Sequence, residues 1–107
     1  MRKIEKLALG FISENYGLDH QLEKLREELQ EAVDAVEDFL LKHSMPYNMK
    51  CKSASDVLEE LGDVENMIYQ VKGYLSEEEL KKYKEMRAGK IVRQLKRIME
   101  ESGVKDE

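Results

Sequence analysis

The sequence predicts an all-α protein: a protomer of four-helix-bundle type, completed by oligomerisation. Three observations carry that expectation. Apolar residues recur at helical spacing in four separate segments, and no strand-like alternation of any length appears. The composition favours helices, rich in Glu, Lys, Leu and Met, with 38% charged residues, 7% aromatic residues and no tryptophan. The single proline, Pro46, falls between the second and third segments and not inside one. At 107 residues the chain makes one small domain with a thin core, so a second copy is expected to bury part of its apolar surface.

The first helix is expected from Arg2 to Asn15, with Ile4, Leu7, Ala8, Phe11 and Ile12 on one stripe and Gly17 beyond it as a left-handed stop. Asp19 is the expected N-cap of the second helix, whose stripe is Leu22, Leu25, Leu29, Val33, Val36 and Leu40, with fraying near His43. Ser44 to Lys52 reads as a connecting loop. Ser53 or Ser55 is expected to cap the third helix, which carries Val57, Leu61, Val64, Ile68, Val71 and Leu75. Ser76 and Glu79 have the spacing of a capping box and open a fourth helix, which passes Leu80, Tyr83, Ile91, Leu95 and Ile98 to a stop near Gly103. The domain is expected over residues 1–103, with 104–107 a disordered tail.

The net charge of −5 argues against general affinity for nucleic acid or an anionic membrane, and suits a protein that collects divalent cations. No apolar run approaches the roughly 20 residues of a membrane span. The N-terminal stretch starts basic, but its apolar part is short and broken by charge, so it reads as a helix and not as a signal peptide. One cysteine, Cys51, cannot form an internal disulfide, and a cytoplasmic location is expected.

The informative feature is a repeated acidic pentapeptide. Glu27-Glu28-Leu29-Gln30-Glu31 lies in the second helix and Glu59-Glu60-Leu61-Gly62-Asp63 in the third. Glu28 with Glu31, and Glu60 with Asp63, are three residues apart, which puts each pair on one helical face with β-carbons roughly 5–6 Å apart. Like charges so placed repel unless a cation lies between them. Each pair also flanks its helix's apolar stripe on the side of the same rotational sense. Antiparallel packing with stripes facing would therefore bring all four carboxylates to one cleft. Four hard oxygen donors without histidine or thiol suit Mg²⁺, with Mn²⁺ as the alternative, and not zinc. Neither His20 nor His43 has a glutamate three residues before it, so the Glu-x-x-His pattern of di-iron bundles is missing.

This ordered pair, Glu28-x-x-Glu31 then Glu60-x-x-Asp63, in the context KLREELQEAVDAV and VLEELGDVENMIYQV, resembles the all-α NTP pyrophosphohydrolases. That superfamily includes MazG, the dimeric dUTPases and phosphoribosyl-ATP pyrophosphohydrolase. The resemblance covers Gln21 to Leu75 well and the fourth helix more loosely. It implies hydrolysis of a nucleoside triphosphate between its α and β phosphates, with Glu28, Glu31, Glu60 and Asp63 ligating Mg²⁺ and Glu31 or Glu28 activating water. It further implies substrate contacts from Lys24, Asn66, Lys90 and Arg93, with Arg97 on the same basic face as the last two. A single motif unit in so short a chain departs from duplicated members, and implies a homodimer or homotetramer. Two other readings stand beside it: a phosphoribosyl-ATP pyrophosphohydrolase, and a non-enzymatic helical module whose charged faces dock a partner.

Overall fold

The structure, a computed structural model, describes residues 1–42 and 52–103. The expected fraying at His43, the loop from Ser44 onward, Cys51 and the tail Val104 to Glu107 lie outside the described residues. Four helices are present and no strand among the described residues, so the class is all-α as predicted. They are α1 (Lys3–Asn15), α2 (Leu18–Lys42), α3 (Lys52–Lys72) and α4 (Glu77–Glu101). None is long and apolar enough to cross a membrane. The chain divides into two compact units, Met1–Tyr74 with the first three helices and Leu75–Glu107 with the fourth.

Local signals set the helix ends, not always those the spacing suggested. The helix α1 closes at Asn15 with Tyr16 extended, and Gly17 does not adopt the expected left-handed conformation. Instead the Gly17 carbonyl accepts the Gln21 amide at 3.1 Å, which makes Gly17 the start of α2. Asp19 consequently lies inside the first turn, where its charge favours the helix N-terminus without capping it. The helix α3 begins at Lys52, so Ser53 and Ser55 are also first-turn residues and not caps.

In the first unit α2 packs along α3, and α1 packs on α3. Gln21 meets Gln70 near one end, and Glu28 approaches Glu60 and Asp63 further along. Rising numbers on α2 thus match falling numbers on α3, and the pair is antiparallel as expected.

The rotational setting of α2 differs from the expected one. Its least exposed residues are Gln21, Leu25, Glu28, Ala32, Ala35, Asp38 and Phe39, which form one face. The apolar stripe expected to face α3 is largely outside: Leu22, Leu29, Val33, Val36 and Leu40 are all exposed. At 3.6 residues per turn, the packed face and the apolar stripe are about 90° apart around the helix. On α1 too the expected stripe is outside: Leu9 and Ser13 are buried while Ile4, Leu7, Phe11 and Ile12 are exposed. Among the described residues the buried apolar side chains are Leu9, Ala54 and Met67, joined inside by Ser13, Gln21, Glu28 and Gln70. The α2 face turned to α3 thus carries the small Ala32 and Ala35 beside Gln21 and Glu28, and the bulkier stripe lies outside it.

A polar network fixes α1 on this pair. The Ser13 hydroxyl donates to the Gln70 carbonyl at 3.2 Å, and Gln21 Nε2 donates to Gln70 Oε1. The Tyr74 hydroxyl reaches the carbonyls of Ser13 and Tyr16, the latter at 2.5 Å. These groups close the end of α1, whose last carbonyls have no helical partner.

In the second unit the capping box forms as the sequence predicts. The Glu79 amide donates to Ser76 Oγ at 3.1 Å, and the Ser76 amide donates to Glu79 Oε1 at 3.0 Å. At the other end Gly103 takes φ +77°, a conformation that glycine adopts without steric cost, and α4 stops there.

Candidate metal centre

The repeated pentapeptides meet across the α2–α3 interface. One carboxylate oxygen from each of Glu28, Glu60 and Asp63 falls within a mutual 4.8 Å. Glu28 is buried, at 8% exposure, while Glu60 and Asp63 are half-buried. Helix geometry accounts for the grouping: Glu60 and Asp63 sit one turn apart on α3, and Glu28 belongs to the α2 face that packs against them. The carboxylates therefore occupy the packed face itself and not the flank of a buried apolar stripe.

Two oxygens in this group, Glu28 Oε2 and Glu60 Oε2, are buried with no hydrogen-bond partner. Buried polar atoms are nearly always paired, and an unpaired carboxylate oxygen is among the more costly exceptions. Burial pushes the Glu60 carboxyl above its ordinary range, and the neighbouring charges of Glu31, Asp63, Glu28 and Glu59 add to that shift. Crowded carboxylate oxygens, two of them buried without a donor, suit the chemistry of a hard divalent cation.

The remaining expected site residues are placed as follows. Glu31 is exposed and stands outside the group of three, although its charge is felt at Glu60. Lys24 lies on α2, with Nζ 3.3 Å from Glu28 Oε1 and 3.5 Å from Glu27 Oε2. The hydrogen bond to Glu28 is the chief reason its ammonium is held above the ordinary range. Asn66 is exposed on α3. Lys90 and Arg93 belong to the second unit, where with Arg87, Gln94 and Arg97 they line a shallow basic surface on α4.

The buried pair Gln21 and Gln70 went unread in the sequence. Its signal was present in the numbering: Gln21 precedes Glu28 by seven residues and Gln70 follows Asp63 by seven. Two turns of helix bring each glutamine onto the same face as its carboxylate.

No family model matches the chain, and no curated protein or solved structure gives a significant match.

Proposed function

We propose that the protein is a Mg²⁺-dependent nucleoside triphosphate pyrophosphohydrolase of the MazG-like all-α superfamily, cleaving an NTP or dNTP to the monophosphate and pyrophosphate. The observation that carries this reading is the convergence of Glu28, Glu60 and Asp63 with two buried, unpartnered oxygens. A purely structural role gives no reason to crowd three carboxylates at a helix interface, where they repel and lose solvent. A cation resolves both costs at once.

Glu28, Glu60 and Asp63 are the residues that would hold Mg²⁺, with Mn²⁺ as the alternative. When bound, the cation supplies positive charge against phosphate oxygens and acidifies water. Glu31, exposed at the edge of the group, is the carboxylate left to accept the proton of the attacking water. Attack at the α-phosphorus forms the new P–O bond, the bond to the β-phosphate oxygen breaks, and pyrophosphate leaves with that electron pair. The exposed apolar residues of α1 and α2 support a homodimer or homotetramer: Leu22, Leu29, Val33, Val36 and Leu40 of the α2 stripe and Ile4, Leu7, Phe11 and Ile12 of α1 lie uncovered.

The test is release of pyrophosphate and monophosphate from a panel of ribo- and deoxynucleoside triphosphates with Mg²⁺, run in parallel on Glu60→Gln and Asp63→Asn. Phosphoribosyl-ATP belongs in the panel. Activity in the wild type that both variants lose supports the assignment. Absence of turnover across the panel, together with no Mg²⁺-dependent rise in melting temperature, would refute it and leave a charged helical interaction module.

A further inference from the structure

We infer that Lys24 holds the Glu28 carboxylate by one oxygen, so that Glu28 ligates a divalent cation through the other oxygen alone and the site favours Mg²⁺ over Ca²⁺. This rests on the metal-centre reading above, and its test separates the two.

The two oxygens of Glu28 have different surroundings. Oε1 is paired with Lys24 Nζ at 3.3 Å, whereas Oε2 is buried without a partner. Lys24 and Glu28 are four residues apart on one helix, so their pairing follows from the geometry of α2 and persists if the α2–α3 spacing shifts. The ammonium has a second carboxylate contact, 3.5 Å to Glu27 Oε2. The Glu28 side chain is 11% exposed and that of Lys24 47%, so a half-exposed ammonium meets a largely buried carboxylate.

That arrangement discriminates between cations through coordination geometry. Ca²⁺ takes six to eight oxygens at about 2.3–2.6 Å and readily accepts both oxygens of one carboxylate. Mg²⁺ demands near-octahedral geometry at about 2.0–2.1 Å and takes carboxylates by single oxygens. An ammonium on Oε1 withholds the second oxygen, which takes no ligand from Mg²⁺ and deprives Ca²⁺ of one. Lys24 is a positioning residue in this scheme: it acts on the metal through Glu28.

The experiment is calorimetric titration of the full-length protein with MgCl₂ and with CaCl₂, without nucleotide, on the wild type, Lys24→Met and Lys24→Arg, each checked for helicity by circular dichroism. Loss of a positive charge raises the affinity of Lys24→Met for both cations, so the ratio of the two dissociation constants is the informative quantity. The expected result is a shift of that ratio towards Ca²⁺ by on the order of threefold or more in Lys24→Met. Lys24→Arg, which keeps the pairing, is expected to retain the wild-type ratio. An unchanged ratio in Lys24→Met, with both affinities raised alike, would overturn the inference while leaving the metal centre intact. No binding of either cation to any of the three proteins would bring down the metal centre itself and this inference with it.

Discussion

The Gln21–Gln70 pair sets the register of α2 against α3, and a double-mutant cycle tests this. Gln21 is 2% and Gln70 6% exposed, and the first donates its side-chain amide to the carbonyl oxygen of the second. Replacing Gln21 by Leu, of similar volume, strands the Gln70 oxygen without a donor in a dry interface. Replacing Gln70 by Leu strands the Gln21 amide in the same way, while the Ser13 bond to the backbone at residue 70 survives. Each single change is expected to cost about 1–3 kcal/mol, the usual cost of leaving a buried polar group unpaired. For a chain of this length that corresponds to a fall in melting temperature of roughly 4–8 °C per kcal/mol. The double variant removes both polar groups together and is expected to return close to wild-type stability. Urea unfolding followed by circular dichroism gives all four free energies, and the coupling is expected to exceed about 1 kcal/mol. If the double variant instead loses the sum of the single losses, within about 0.5 kcal/mol, the glutamines do not act as a unit. The register of Glu28 against Asp63, which is seven residues along each helix, would then need another cause.

Four further outcomes follow from the geometry. The Glu60 carboxyl is raised above its ordinary value of 4.5, so the folded state binds its proton more readily than the unfolded chain does. Without metal, stability should therefore rise as pH falls from neutral through the Glu60 value and level off below 4.5; Glu60→Gln should abolish that rise, read from melting temperature against pH. Ser76→Ala removes one half of the α4 capping box and should cost about 0.5–2 kcal/mol, seen as reduced helicity and earlier melting. The Glu79 carboxyl, held below its ordinary range by the Ser76 backbone and hydroxyl, stabilises the cap at neutral pH, and that contribution is lost as pH falls through its lowered value. Sedimentation should give a species of at least twice 12.5 kDa, and glutamate at both Val33 and Val36 should dissociate it; a monomeric wild type at micromolar concentration would refute the role given to the α2 stripe.

Much of this molecule was legible in local sequence. The four helices were marked by apolar periodicity, the start of α4 by Ser76 and Glu79, and its end by Gly103, because these signals act within a turn or two of chain. The acidic repeat likewise pointed to the residues that meet, since a spacing of three fixes which carboxylates share a face. Other features were set by the tertiary structure. Periodicity says that a helix has a face to bury, not which partner buries it. The stripe from Leu22 to Leu40 was therefore assigned to α3, while the chain packs the alanine-rich face with Glu28 there instead. The same rotation leaves Glu31 outside the group of three and turns Gln21 inward against Gln70. The start of α2 moved from Asp19 to Gly17 because several residues near a helix start can satisfy the same free amides. What sequence alone determined was helical content and the spacing of its acids. The rotational setting of each helix, and so which oxygens stand buried and unpaired, was decided by close packing between elements far apart in the chain.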